Sequence, residues 1–265
     1  MCIRDSYYHA ECLLKDKLYQ DAFNDYQAII ANRYARFYER SLLNASGIAY
    51  YELKDSAKAY ELYTKLFEAS STTANTYTAT LGVMKTAFKL NKYSDAAVYA
   101  DKLIENKDSK EGDVHEALYI KAKSAYALGQ NDVAFLNFNR LSQLTVSERA
   151  AEAKYMVAKL LNDKHEYQAS LDTCFQLKGR FESYDYWVVK AFILIADNYN
   201  GLNNSFQARA TLESIIDNYK GDQSLISEAK TKLAKLDADE LEKSKIKLTM
   251  PSDSIIMEQD SILKK

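Results

Sequence analysis

The sequence predicts an all-α protein, a right-handed α-solenoid of about six helical hairpins closed by a C-terminal capping helix, and three observations predict it. Seven Gly and a single Pro in 265 residues supply too few turn-formers for a many-stranded sandwich or barrel. A content of 47% apolar and 27% charged residues excludes wholesale disorder. Finally, small and large apolar residues recur with a period of about 37 residues, the mark of a stacked array.

The period is read from a small residue that opens each second helix: Ala22, Ala59, Ala96, Ala134, Ser170 and Ala208, spaced 37, 37, 38, 36 and 38 apart. Four residues later stand Tyr26, Tyr63, Ala100, Phe138, Cys174 and Leu212, and three beyond those Ile29, Leu66, Leu103, Leu141, Leu177 and Ile215. Positions i, i+4 and i+7 share one helical face. Twelve residues before each opening residue lies the first-helix column, Ala10, Gly47, Met84, Ala122, Ala158 and Ala196, followed three residues on by Leu13, Tyr50, Ala87, Ala125, Leu161 and Tyr199. Small residues let the paired helices approach, and the large ones fill the space between them.

Taken in order, residues 1–6 lack the apolar core of a secretory signal and read as a non-native, adaptor-like segment, so the natural N-terminus is expected to be missing. Residues 7–221 form the solenoid. Its hairpin turns are visible in Tyr51-Glu52-Leu53-Lys54-Asp55, Lys89-Leu90-Asn91-Lys92 and Ala127-Leu128-Gly129-Gln130-Asn131. Thr145-Val146-Ser147-Glu148 and Asp113-Val114-His115-Glu116 have capping-box spacing before two first helices. Residues 222–247, started by Asp222 or Ser224, form a capping helix with Leu225, Ala229, Leu233 and Leu236 on one face. The remaining residues, 248–265, are expected to be a disordered tail; its related Asp253-Ser254-Ile255-Ile256 and Asp260-Ser261-Ile262-Leu263 could serve as docking motifs. Nothing equivalent caps the beginning, so self-association through that end is an expectation.

At these columns the chain resembles the tetratricopeptide repeat family, most clearly in Gly47…Tyr50…Ala59…Tyr63 and Ala196…Tyr199…Ala208…Leu212. It departs in its longer period and in lacking the proline that usually closes each unit. The texture of residues 206–219 looks like the terminal repeats of bacterial cell-envelope proteins of this family, which suggests an envelope or periplasmic setting, with cytoplasm as the alternative. The resemblance implies a non-catalytic scaffold that binds a protein or peptide segment in a groove lined by first helices. A structural spacer, an oligomerisation module or the regulatory arm of a larger protein is the alternative reading.

The residues themselves offer little to catalysis. His9, His115 and His165 fall in different hairpins and cannot converge, and no nucleotide-binding or hydrolase fingerprint is present. Cys2, Cys12 and Cys174 form no CxxC pair; Cys12 and Cys174 read as buried hydrophobes. No enzyme activity, cofactor or metal is expected. A net charge of −2 offers no drive toward nucleic acid, and no apolar run is long enough to span a bilayer.

Helical geometry places one row one residue after the first-helix column: Lys85, Lys123 and Lys159 in hairpins 3 to 5. Leu81, Tyr119 and Tyr155 precede that column by three residues, and Phe88 and Tyr126 follow it by four. These eight form the candidate partner-binding surface, suited to an acidic peptide. The competing expectation is that the lysines are solvated and the tyrosines pack between hairpins. The asparagine used by the family's carboxylate clamps has no match in hairpins 3 to 5.

Overall fold

Pairs of amphipathic helices, each too thin to bury its own apolar face, stack here into an array. The structure is a computed structural model that describes residues 3–33 and 35–249, with side chains from 5 to 33 and from 36 to 242. Six hairpins follow one another: α1 (Ile3–Lys15) with α2 (Tyr19–Ala31), α3 (Ala35–Gly47) with α4 (Ser56–Ala69), α5 (Thr73–Lys89) with α6 (Tyr93–Glu105), α7 (Glu111–Ala127) with α8 (Asn131–Leu144), α9 (Glu148–Asp163) with α10 (Tyr167–Arg180), and α11 (Asp185–Gly201) with α12 (Ser205–Asn218). α13 (Gln223–Thr249) packs across the last of them. Among the described residues there is no strand. α1 starts within the stretch set apart as 1–6; residues 1, 2 and 250–265, with most of the expected tail and both of its tetrapeptides, lie outside the described residues.

The second-helix column is buried in all six hairpins, and so are the large residues four and seven positions on. The core is continuous but built locally: one part runs through hairpins 1 and 2 into α5, and those that follow bridge one hairpin to the next helix. Met84, Ala96, Ala100 and Leu103 of hairpin 3, for example, bury against Ala117 and Ile120 of α7. Volumes across such seams are complementary. Tyr63 of α4 lies on Gly82 of α5 so closely that a Cβ at Gly82 would sit 2.3 Å from the ring. One seam later the same two places hold Ala100 and Ile120.

All six hairpin turns share one device that the spacing alone does not reveal. Lys17, Lys54, Asn91, Gly129, His165 and Asn203, each five residues before the second-helix column, have φ between 56° and 73°. Left-handed backbone lets the next amide reach back to an orphaned carbonyl of the first helix. In five turns that bond spans five residues, as in Lys92 N–H to Ala87 O at 2.8 Å; in hairpin 2 it runs from Asp55 to Ala49, six apart.

The extra residue belongs to a π-helical turn, Ile48–Glu52, that continues α3. Counted from the turn, the structural partners of Met84 and Ala87 are therefore Ser46 and Ala49, both fully buried, and not Gly47 and Tyr50. The constant spacing misassigns α3 by one residue because a π turn inserts one residue without changing the helix length seen by its neighbours.

Caps also shift. Ser147, not Thr145, is the N-cap of α9, its hydroxyl accepting from Ala150 N–H at 3.3 Å, while Thr145 ends α8. α7 begins at Glu111, so Asp113 lies inside its first turn, where it accepts from the Tyr77 hydroxyl of α5 at 2.5 Å. Asp222 does cap α13's start, accepting from Ser224 N–H at 2.8 Å. Leu225, Ala229 and Leu236 are buried against α11 and α12, with Leu233 packed beside them. Glu228 and Lys232 do not simply face water: they pair with Lys190 and Asp197 of α11, and Arg209 of α12 holds Asp237 and Glu240.

Hairpins 2 and 3 are joined by Glu39, whose carboxylate accepts from Ser71 N–H, the Ser71 hydroxyl and the Asn75 amide at 3.1, 2.7 and 2.7 Å. These bonds hold its pKa below the ordinary 4.5. A depressed carboxylate contributes stability that is present above 4.5 and lost as pH falls through the lower folded value. Glu39→Gln should therefore cost up to about 1 kcal/mol at pH 7 at this largely solvated site and flatten the stability curve below pH 4.5, measured by urea melts from pH 3 to 7. An unchanged acid limb would show that the carboxylate does not link the hairpins.

Candidate functional site: the concave face

Successive first helices touch directly, α3 with α5, α5 with α7 and α9 with α11, while second helices do not pack on one another to that extent. The array therefore curves toward its first helices, and the concave face is theirs.

The eight residues singled out by spacing all lie on α5, α7 and α9, and the structure engages most of them internally. Lys85 pairs with Glu116 of α7 at 2.7 Å, and Lys123 with Glu152 of α9 at 2.7 Å. Lys159 pairs with Asp163 one turn along its own helix at 2.9 Å. Burial lowers the Lys85 and Lys159 ammonium pKa values, but the partner carboxylates more than restore them, leaving both raised. These two lysines are thus charged and neutralised. Arg149 also reaches Glu116, at 3.4 Å, so the acids of one first helix hold the bases of its neighbours.

The aromatics serve the seams between hairpins. Tyr119 donates to Glu152 at 2.7 Å, and burial followed by that carboxylate pushes its phenol well above the ordinary value. Tyr155 packs on Trp187 of α11 with centroids 5.6 Å apart. Phe88 meets Tyr93 edge-on across its own hairpin, and Tyr126 packs against the core of hairpins 4 and 5. Leu81 differs, for it borders an open cavity shared with α3. The competing expectation thus holds for the tyrosines. The lysines are neither bare nor merely solvated, because an acid on a neighbouring turn or helix meets each one.

Spacing misses the opening of the groove nearer the N-terminus. There Leu43, Gly47, Tyr50 and Tyr51 of α3 and its π turn face Leu14 and Tyr19 on one side and Leu81 and Lys85 on the other. Tyr51 is 57% exposed and meets Tyr50 edge-on at 4.8 Å. The signal available in the sequence was the pair of adjacent tyrosines after a glycine, which a strict column reading splits between two roles.

Elsewhere the chemistry is sparse. His9 bonds Asp25, His115 lies 3.8 Å from Glu111, and His165 forms a turn beside Tyr167, each in its own hairpin. Among the described residues no three His, Cys, Asp or Glu side chains group to hold a metal, and no helix is long and apolar enough to cross a membrane. Cys174 is buried, which pushes its thiol up to about 12 and leaves it unreactive at neutral pH. Cys12 is exposed, contrary to the expectation from its helical pattern. It sits two residues after the first-helix column; the matching Ser124 in α7 and Leu160 in α9 are buried by the hairpin before them.

Residues 190–222, from within α11 through α12 to the start of α13, match the family model of the tetratricopeptide repeat. No curated protein matches the chain. Among solved structures, the chain is similar to YrrB, described as a TPR protein with an unusual peptide-binding site, at 18% identity and a TM-score of 0.56 over 78% of this chain and 97% of that one. It is similar to MamA at 16% identity and 0.53, over 69% and 97%. A tetratricopeptide repeat protein from Parabacteroides merdae ATCC 43184 gives 16% and 0.52, over 95% and 94%. At such identities the likeness concerns the fold, and it is the tetratricopeptide solenoid that the six columns resembled.

Proposed function

We propose that this tetratricopeptide-type array is a protein-binding scaffold without catalytic activity of its own, and that its concave face takes an extended segment of a partner protein. The observation that carries the reading is the concave face of the first helices, open beside the exposed Tyr51 over hairpins 1 to 3 and lined by half-buried aromatic and basic side chains backed by ion pairs over hairpins 3 to 5. Aromatic surface offers contact area at low entropic cost, and a rigid backing avoids the cost of ordering on binding. Repeat arrays use such concave surfaces for binding, and the relative YrrB is described as having a peptide-binding site.

A second reading, self-association through the N-terminal hairpin, draws on α1. Tyr8 and Cys12 stand exposed at places where α7 has buried Ile120 and Ser124 and α9 has buried Met156 and Leu160. One experiment addresses both. Photo-reactive benzoylphenylalanine is placed at Tyr126, at Leu136 on the outer side, and at Tyr8, and the chain is irradiated with and without peptides selected from a random display library. Peptide adducts at Tyr126 and none at Leu136 are expected. Adducts at Leu136 alone would reject the groove, and a peptide-independent dimer at Tyr8 would favour self-association.

A further inference from the structure

Two cavities of about 280 and 200 Å³ open side by side on the concave face of hairpins 1 to 3, and they share Leu43, Gly47 and Tyr51. Gly47 is the floor between them. Its backbone is ordinary right-handed helix, φ −61° and ψ −48°, and a Cβ built there would meet no atom within 4 Å. Neither the backbone nor close packing therefore asks for glycine, although glycine inside a helix costs about 1 kcal/mol relative to alanine. Gly82, by contrast, is explained by the Tyr63 ring. What glycine at 47 supplies is open space.

The π turn furnishes that space with walls. Its inserted residue puts Tyr50 and Tyr51 next to each other at the groove, where an uninterrupted helix would carry one of them past it. Such turns often occur at functional sites. Lys85 stands at the edge of the smaller cavity, already paired with Glu116. Lys89 lies with its ammonium 5.7 Å from the Tyr50 ring, and among the described residues no carboxylate pairs with it. The three row lysines are neutralised by acids, whereas Lys89, which lines neither cavity, stands beside Tyr50, a wall of the smaller one.

The smaller cavity, about 200 Å³, has the scale of a single bulky side chain. Resting on the reading of the concave face as a peptide groove, we propose that this double cavity is its anchoring subsite. It takes a bulky apolar side chain of the bound peptide on Gly47, between Leu43, Tyr51 and Leu81, with a neighbouring Asp or Glu of the peptide on Lys89. Buried apolar anchors flanked by charge-assisted contacts carry most of the binding energy at such surfaces.

The test fills the cavity from its floor. Gly47→Leu projects into vacant space and is a better helix former, so the fold should be kept or stabilised. Twelve-residue peptides are selected from a random phage library on the full chain, and fluorescein-labelled copies are titrated by anisotropy. Selected peptides should share a Leu, Phe, Tyr or Trp with an acidic residue within two positions. Gly47→Leu should weaken them about tenfold or more, and Lys89→Glu several-fold. Tyr51→Ala removes an exposed ring and should weaken the same peptides, which keeps the test decisive if the leucine variant unfolds. Peptides that ignore all three changes but lose affinity for the charge-inverted Lys123→Glu with Glu152→Lys chain would overturn the subsite and leave the groove. Peptides indifferent to every concave change, or no selected peptide at all, would overturn both.

Discussion

Gly82→Leu should destabilise the array by about 3 kcal/mol, even though leucine favours helix over glycine by ~1 kcal/mol at such a position. The reason is geometric. Three atoms of the Tyr63 ring lie 2.3 to 2.5 Å from where the new Cβ would be, and Tyr63 is 4% exposed, so the buried ring must be displaced. The seam between hairpins 2 and 3 would have to open. Thermal melts followed by circular dichroism read the loss, and the double variant Tyr63→Ala with Gly82→Leu should recover part of it, because the two sites share one space. Strict additivity of the two changes would mean that the ring and the glycine do not meet.

Phe138→Ala should cost about 3–5 kcal/mol, the usual range for removing a fully buried phenylalanine. Phe138 is 0% exposed in the fourth hairpin, packed among residues of α7, α8 and α9. Its second effect follows from the architecture. The parts of the core from hairpin 3 to hairpin 6 join only neighbouring hairpins, so weakening a central seam should uncouple the two halves. Urea unfolding of the variant should therefore show two steps where the parent shows one. A single transition merely moved to lower urea would indicate cooperativity reaching across hairpin 4.

The fold was legible because stacking repeats the same contact six times. A small residue at the helix crossing and large ones four and seven places on must recur, and Ala59, Ala134 and Ala208 with Leu66, Leu141 and Ile215 are enough to set the register of the second helices. Whatever breaks the repeat was hidden. The π turn after Gly47 adds one residue locally and leaves the hairpin-to-hairpin period at 37. The left-handed turn position is announced by Asn91, Gly129 and Asn203 but masked by Lys17, Lys54 and His165. The acids that meet lysines across helices were beyond reach for a related reason, unlike Asp163, which follows Lys159 by the four residues of one helical turn. Lys123 to Glu152 spans 29 residues and Lys190 to Glu228 spans 38, so no fixed spacing finds them; they depend on how neighbouring helices rotate. Cys12 has the helical face of a core residue, but among the described residues no neighbouring hairpin covers it.

Hairpins that lean only on the next hairpin also respond to tension in a particular way. Held between two anchors and pulled, such a chain would yield as a staircase and not in one rupture, shedding units of about 37 residues that each reach ~120 Å when drawn straight. It would act as an extensible tether whose slack is released in instalments.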